Sequence, residues 1–139
     1  MKGIILMDTI DKQILKILAQ NSKLTNKQIG ELVHMTGQAV GNRIINLQEQ
    51  GIIQKFSIKL NYSHTQFIRI FMDSNKYTEF ERCVNSFEEV SALYKVSGQA
   101  CYMILSHFTE TKLARFIEQI SRWGRYSVET VIADKTTHI

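Results

Sequence analysis

The polar side chains of residues 36–46 are those best suited to chemical recognition in this sequence. Gln and Asn side chains can form paired hydrogen bonds to adenine, and Arg to guanine, in the major groove of DNA. Val40, Ile44 and Leu47 fall at the i, i+4 and i+7 spacing of one helical face. The remaining residues of this predicted helix therefore lie at its sides or opposite its core face, and the candidates for reading bases are Gln38, Ala39, Asn42, Arg43 and Asn46.

An alternative is that these residues form only a solvated polar face, as on most isolated amphipathic helices. Arg43 could also pack its stem along the core or pair with a carboxylate such as Glu49. The distribution of charge favours DNA contact. Residues 1–60 contain eight Lys/Arg and four Asp/Glu, whereas residues 61–139 contain nine of each, so the excess positive charge lies beside the predicted reading helix.

Two shorter helices are predicted before the reading helix. A first helix over about residues 8–20 is indicated by apolar residues at helical spacing, Ile10, Ile14, Ile17 and Leu18. Thr25-x-x-Gln28 has the form of a capping box and predicts the start of a second helix. Thr36 can cap the third helix and Gly51 can end it. Three helices on one small core predict a helix-turn-helix DNA-binding domain over residues 1–53.

Helix starts expose backbone N–H groups that suit phosphate oxygens. Thr25, Lys27 and Thr36 lie at the starts of the second and third helices. We expect them to contact the DNA backbone, which positions a protein without reading its sequence.

The next segment, residues 52–60, alternates apolar and polar residues with the period of a strand or extended arm. We predict a connecting strand or hinge over residues 54–66, followed by a second domain over residues 67–139.

The second domain shows the order strand-helix-strand-strand-helix-strand. The predicted elements lie at about residues 67–73, 76–87, 90–97, 100–107, after Thr109, and 126–134. This βαββαβ order places two helices on one face of a four-stranded antiparallel sheet. In the second strand, one face is predicted to carry Val90, Ala92, Tyr94 and Val96. The fold class is α+β.

The other face of that sheet has no predicted cover. Residues such as Phe67, Tyr94 and Met103 would form an apolar patch that a monomer rarely leaves in water. We therefore predict a homodimer formed through the sheet. A dimer would also present two reading helices to two half-sites of double-stranded DNA.

Several classes of protein are not supported by the sequence. Cys83 and Cys101 lack the spacing of a zinc site or a disulfide scaffold, and the four histidines are scattered, so no metal is predicted. Cys101 reads as a small hydrophobic residue, with a redox sensor as the rarer alternative. No catalytic constellation and no cofactor motif is recognised, so the expectation is that the chain is not an enzyme.

The predicted location is the cytoplasm, without contact to a membrane. The apolar stretch of residues 3–7 is shorter than a signal-peptide core, and no stretch approaches the about 18 apolar residues of a membrane span. Because Met7-Asp8 would make a sensible start, residues 1–6 could be a leader from an upstream start codon.

Two motifs in the N-terminal half and one in the C-terminal half carry a family resemblance. They are Asp8-x-x-Asp11-x-x-Ile14-Leu15-x-x-Leu18-x-x-Asn21-Ser22-Lys23-x-Thr25-x-x-x-Ile29-Gly30, Val40-x-x-Arg43-Ile44-x-x-Leu47-x-x-x-Gly51-Ile52-Ile53 and Ser97-Gly98-x-x-x-Tyr102. With these residues, the sequence resembles the Lrp/AsnC (leucine-responsive regulatory protein, feast/famine) transcription regulators of bacteria and archaea.

The resemblance implies a winged helix-turn-helix joined by an extended arm to a ferredoxin-like, effector-binding domain of the RAM/AsnC type. It further implies dimers that assemble into tetramers or octamers and bind an amino acid or another small molecule between dimers. The corresponding effector residues here are Gly98, Gln99, Ala100, Cys101 and Tyr102. This loop lacks the acidic residue that is common in the family, and a simple hairpin turn is the alternative.

Two other functions remain as alternatives. Sirohaem decarboxylases resemble this family and share its two-domain shape, and such an enzyme would need His107, Arg115 and Arg122 to converge on a tetrapyrrole. An architectural DNA-compacting protein would bind mainly phosphates, with little dependence on sequence.

Overall fold

The computed structural model describes residues 7–137, so the suggested leader at residues 1–6 lies outside the described residues. The chain divides into two compact units, with the boundary between Lys59 and Leu60. Residues 7–137 contain five α-helices and one four-stranded antiparallel sheet, which is the predicted α+β class. Over the same residues, no helix combines the length and the apolar character needed to cross a membrane.

The first unit contains the three predicted helices, α1 (Thr9–Gln20), α2 (Asn26–Val33) and α3 (Gly37–Glu49). Each begins after a residue whose side chain accepts a hydrogen bond from a backbone N–H that lacks a partner within the helix. Asp8 and Thr25 form reciprocal capping boxes with Asp11 and Gln28, and the Thr36 hydroxyl accepts from the Ala39 N–H at 3.1 Å. The three starts therefore follow from local sequence.

The core of the first unit is small and aliphatic. Its central cluster of buried residues consists of Ile14, Ile29, Val33, Val40 and Ile44. The tight turn between α2 and α3 depends on Gly30, because a Cβ there would lie closer than 3.0 Å to the carbonyl oxygen of Met35. His34 ends α2 in the left-handed conformation, which reverses the chain and leads it into α3.

The segment after α3 does not form the predicted strand. Gly51 has φ 76°, and the Ile52 and Ile53 N–H groups both donate to the Leu47 carbonyl. Residues 54–62 have no regular secondary structure, so the arm is present as an irregular segment. A strand needs a neighbouring strand to pair with, and within residues 7–137 this segment has none.

The second unit follows the predicted βαββαβ order. Its elements are β1 (Gln66–Met72), α4 (Tyr77–Asn85), β2 (Val90–Lys95), β3 (Tyr102–Ser106), α5 (Glu110–Ile120) with a 3₁₀ turn (Ser121–Trp123), and β4 (Gly124–Thr130). The strand order is β2-β3-β1-β4, with antiparallel neighbours throughout.

Strand β4 lies earlier in the chain than the predicted residues 126–134. Pairing runs from Met72 opposite Gly124 to Gln66 opposite Thr130. Because β1 begins at Gln66, the described pairing beyond Thr130 consists of one further hydrogen bond, from the Val131 N–H to the Thr65 carbonyl at 2.9 Å. The end of β4 is therefore fixed by the start of another strand.

Both helices of the second unit cover one face of the sheet. Strand residues of this inner face, among them Ile68, Ile70 and Ile104, pack in one cluster with Phe80 and Phe116 of the helices. Gln66 is a buried polar residue whose amide oxygen and amide nitrogen both have hydrogen-bond partners. Its Oε1 accepts from the Ser106 hydroxyl and the Phe108 N–H, and its Nε2 donates to the Phe108 carbonyl.

The prediction that Val90 shares one face of β2 with Ala92 and Tyr94 is wrong for Val90. An irregularity in the β2/β3 register lies between Val90 and Ala92. Val90 consequently packs against the inner core, whereas Ala92 and Tyr94 pair with Leu105 and Met103 on the opposite face. A bulge shifts the alternation by one residue, and simple period-two reading does not detect it.

The face of the sheet opposite the helices is here called the outer sheet face. Within the described chain it carries the predicted apolar residues: Tyr94 is 61% exposed and Phe67 is 41% exposed. Met103 and Leu105 are half-buried beside them.

Candidate functional site

The exposed side of α3 carries three amide side chains in a row. Gln38, Asn42 and Asn46 are all exposed and follow one another at i, i+4 and i+8, while Val40, Ile44 and Leu47 are buried on the other side. We call Gln38, Asn42 and Asn46 the reading face. Such amides can donate and accept at the same time, which is what the edge of adenine requires in the major groove. Ala39 is half-buried.

Arg43 does not project freely beside these amides. Its Nη1 donates to both carboxylate oxygens of Asp8, at 2.7 and 2.6 Å, and to Asp11 at 3.1 Å. The Arg43 hydrogen bond holds the pKa of the Asp8 carboxyl below its usual range, with a smaller contribution from the Asp11 N–H. The same carboxylates raise the pKa of Arg43. The described position of Arg43 therefore ties α3 to the start of α1.

The remaining candidates of the first unit lie where two helix starts meet. Gly37, the first residue of α3, lies against the backbone of Lys27, since a Cβ there would be 3.2 Å from the Lys27 nitrogen. Thr25, Lys27 and Thr36 are exposed. Each helix start carries a partial positive charge, so this arrangement brings two of them together at the backbone of Lys27.

The five residues of the predicted effector loop differ in exposure and in their contacts. Gly98 has φ 121° and open space around its Cβ position, so glycine serves the turn there. Gln99 is exposed, Ala100 is half-buried, and Cys101 packs against the inner core while its N–H donates to the Ile70 carbonyl at 2.8 Å. Tyr102 belongs to β3 and is 1% exposed.

Tyr102 instead reaches a cleft that the sequence did not reveal. Its hydroxyl donates to Glu81 of α4, and burial, followed by this bond, raises the pKa of Tyr102 above its ordinary range. The cleft between α4 and β2, about 330 Å³ in volume, is also lined by Asn85, Leu93 and Lys95. We call it the α4–β2 cleft. No local spacing indicates it, because its side chains come from three separate elements.

Residues suggested for a tetrapyrrole site do not come together. The His107 ring lies within hydrogen-bond distance of Thr65 and Ser91, and Tyr62 stacks on it at 3.4 Å between ring centroids. His107 follows buried Ser106 on β3 and so points to the outer sheet face, whereas Arg115 and Arg122 belong to the helical layer. Among residues 7–137, no group of three or more His, Cys, Asp or Glu is arranged to hold a metal ion.

Comparison with known proteins matches both halves of the chain. An AsnC-type helix-turn-helix domain model matches residues 7–48, and an Lrp/AsnC ligand binding domain model matches residues 65–137. The HTH-type transcriptional regulator LrpB of Bacillus subtilis (strain 168) is 34% identical over 138 residues, which covers 95% of this chain and 93% of LrpB.

Solved structures share the fold. LrpC of B. subtilis superposes with a TM-score of 0.88 at 18% identity, over 96% of this chain and 100% of that chain. A transcriptional regulator from Neisseria meningitidis, solved as an L-Met complex, gives 0.81 at 20% identity, over 94% of this chain and 93% of that chain. With the family models covering both halves and a relative matched along nearly the full length, the chain belongs to the Lrp/AsnC family of transcription regulators.

Proposed function

We propose that this protein is a sequence-specific, DNA-binding transcription regulator that acts as a homo-oligomer and responds to a small molecule. The reading face carries this proposal, because three exposed amides at consecutive helical turns stand on a helix whose opposite side is committed to the core. Its role is binding without catalysis, and its place of action is the cytoplasm, where such a regulator meets DNA.

In the proposed complex, α3 lies in the major groove with Gln38, Asn42 and Asn46 toward the base edges. The DNA phosphates are contacted at the starts of α2 and α3, by Thr25, Lys27 and Thr36. Arg43 has two proposed roles that differ in their consequences: it reads a base directly, as its type suggests, or it positions α3 through Asp8 and Asp11.

The experiment selects bound sequences from genomic fragments and then measures affinity for selected and unrelated DNA over a salt series. Asn42→Ala is expected to reduce the difference in binding free energy between selected and unrelated DNA by about 1–3 kcal/mol for each lost bidentate contact. Lys27→Ala should weaken binding to all DNA sequences similarly. It should also lower the slope of log affinity against log salt concentration by about one. Gln48→Ala, an exposed amide on another side of α3, is the matched control and should change neither.

The assignment of reading roles would be contradicted if Asn42→Ala, Lys27→Ala and Gln48→Ala all caused the same loss of affinity for selected and unrelated DNA. Affinity that depends on salt but hardly on sequence would instead indicate an architectural DNA-compacting protein. A tetrapyrrole absorption band after incubation with sirohaem would favour the enzyme alternative.

The two roles of Arg43 are separated by freeing it from its partners. In an Asp8→Asn/Asp11→Asn variant, Arg43 loses the charges that hold it, while Asn at position 8 keeps a capping side chain. If Arg43 reads a base, discrimination is retained or increases. If Arg43 positions α3, discrimination falls as it does in Arg43→Ala.

Dimerisation is proposed through the outer sheet face. Tyr94→Asp places a charge on that face and should shift the particle toward monomer in sedimentation. Tyr126 is the matched control, since it is 44% exposed but pairs with Ile70 on the inner side of the sheet. An unchanged mass for Tyr94→Asp, or the same shift for Tyr126→Asp, would remove this face from the interface.

The proposed effector is an amino acid or a related small molecule. The match to an Lrp/AsnC ligand binding domain supports it, as does the L-Met complex of the Neisseria regulator. The loop of residues 98–102 remains the candidate contact. DNA affinity measured with and without each amino acid tests whether such an effector acts.

A further inference from the structure

One large apolar side chain of α3 lies outside the core. Ile45 is 51% exposed, whereas Ile44 before it is buried. Leu32 of α2 is also exposed, at 60%. Single apolar residues are common on protein surfaces, so the direction in which Ile45 points decides what the residue can do.

Ile45 points in nearly the same direction as the reading face. It follows Gln38 by seven residues, which is two turns of an α-helix to within about 20°. It follows Asn42 by three residues, which makes the two side chains neighbours on the helix surface. Both amides are exposed, and the matched helix-turn-helix model includes Ile45. An apolar group therefore stands beside the polar groups that are proposed to meet base edges.

The major groove of DNA offers one apolar group to such a side chain. Among the four bases, thymine alone carries a methyl group, at C5, on its major-groove edge. An adenine–thymine pair thus presents N6 and N7 to an amide and a methyl group to an apolar residue. Isoleucine suits this contact because branching at Cβ leaves one strongly preferred rotamer about the first side-chain bond in a helix. Little side-chain entropy is then lost on binding.

We propose that Ile45 is a specificity-determining residue that contacts the 5-methyl group of a thymine in the DNA half-site. The inference rests on the proposed reading of DNA by α3 and adds an apolar contact to the amide contacts. Three residues of an α-helix rise about 4.5 Å, and neighbouring base pairs are about 3.4 Å apart. The thymine therefore lies within about two base pairs of the pair that Asn42 contacts.

The test removes the methyl group alone. Each thymine of one selected half-site is replaced in turn by deoxyuridine, which keeps every hydrogen-bonding group of the base edge. The full chain is expected to bind one of these DNAs about fourfold more weakly, which corresponds to about 0.8 kcal/mol for one buried methyl group. Unchanged affinity for every deoxyuridine-containing DNA would overturn the proposal.

Variants assign the effect to Ile45. Ile45→Ala removes most of the apolar side chain and should bind the thymine and deoxyuridine DNAs equally. Leu32→Ala is the matched control, because it also truncates an exposed apolar residue of the first unit, and it should keep the fourfold difference. The proposal is overturned if the difference persists in Ile45→Ala or disappears in Leu32→Ala.

A second base replacement separates the methyl contact from the amide contacts. When the responsive adenine–thymine pair is changed to guanine–cytosine, the adenine edge and the methyl group are lost together. Replacing that cytosine by 5-methylcytosine restores the methyl group alone. The unchanged protein should then recover about fourfold in affinity, and Ile45→Ala should recover nothing. An equal recovery in both proteins would overturn the proposal.

The fold and the wider function are checked separately. Ile45 is largely exposed and alanine favours a helix, so amide exchange in α3 should be as slow in Ile45→Ala as in the unchanged protein. Faster exchange there would show a structural role and overturn the proposal. Selective DNA binding that never depends on a thymine methyl group contradicts this inference alone. Binding without preference among sequences contradicts the proposed reading of DNA as well.

Discussion

The two units of this protein are stabilised in different ways. The core of the first unit contains five aliphatic side chains, and each of its helices begins with a side-chain cap. The core of the second unit contains ten residues, five of them aromatic, and includes contacts such as Phe108 stacked on Phe116 at 4.6 Å between centroids. Because small units bury a smaller fraction of their surface, caps matter more in the first unit and core volume matters more in the second.

The same contrast separates the two candidate sites. The reading face lies on one helix, so short-range spacing is enough to define it. The α4–β2 cleft depends on the bond from Tyr102 to Glu81, between residues 21 positions apart, and so requires the sheet to be assembled first. The surface proposed to read DNA can therefore be local, whereas the α4–β2 cleft depends on the register of the whole unit.

The largest predicted effect is a cavity in the second core. Phe116 is fully buried and contacts Phe87 and Phe108, so Phe116→Ala should cost about 3–5 kcal/mol of unfolding free energy. The unfolding midpoint in denaturant, followed by the fluorescence of Trp123 in the same core, measures it.

Ile14→Ala is the counterpart in the first core, where Ile14 is also fully buried. It should speed amide hydrogen exchange in α1 and α3 without moving the Trp123 midpoint. If Ile14→Ala changes both amide exchange in α1 and α3 and the Trp123 unfolding midpoint, the two units unfold together. Their stabilities would then not be separate, contrary to the prediction.

The first unit was predicted well because its signals are short-range. Thr25 and Gln28, three residues apart, are sufficient to indicate a capping box, and both of its hydrogen bonds are present. Thr36 and the spacing of Val40 and Ile44 likewise define α3. Interactions within one helical turn do not depend on the rest of the chain, so sequence alone carries them.

The features missed by sequence reasoning all depend on distant residues. The bulge beside Ser91 changes which face Val90 occupies, and it exists only against β3. Arg43 pairs with carboxylates more than 30 positions away in sequence. Glu81 and Tyr102 meet only when α4 packs on the sheet. No residue spacing along the chain encodes these contacts.

The next largest effect concerns the tight turn of the first unit. In Gly30→Ala, the new Cβ meets the Met35 carbonyl, which is backbone and cannot move aside alone. We expect a loss of about 1–3 kcal/mol and a parallel loss of DNA affinity, because the turn orients α3.

Gly41→Ala is its control within the same unit. There the new Cβ would be 2.9 Å from the flexible end of Asn26, which can rotate away. Removing a glycine from a helix interior should then stabilise the unit by about 0.5–1 kcal/mol. Both substitutions are assessed by amide exchange in α2 and α3. A neutral Gly30→Ala would show that the turn tolerates a side chain.

A smaller effect compares the same cap in both units. Thr36 accepts from the Ala39 N–H at 3.1 Å, and Thr109 accepts from the Lys112 N–H at 3.4 Å. Thr36→Ala should cost about 1 kcal/mol and expose α3 to faster exchange. Thr109→Ala should cost less, because its bond is longer and α5 is held by the larger core. Equal losses would show that caps matter alike in both units.

The smallest effect is the pH dependence of the pair between Asp8 and Arg43. Since Arg43 depresses the pKa of Asp8 in the folded chain, the pair stabilises the first unit above the ordinary aspartate value of about 3.9. This contribution is lost as the pH falls from there through the lowered pKa. In a nuclear magnetic resonance titration, the Asp8 carboxyl signal of the unchanged protein should therefore have a lower midpoint pH than the Asp8 signal of the Arg43→Gln variant. Arg43→Gln leaves the cap in place, so only the charge is removed. Coincident midpoints would mean that Arg43 is not held by Asp8 in solution, and Arg43 would then be available to DNA together with the reading face.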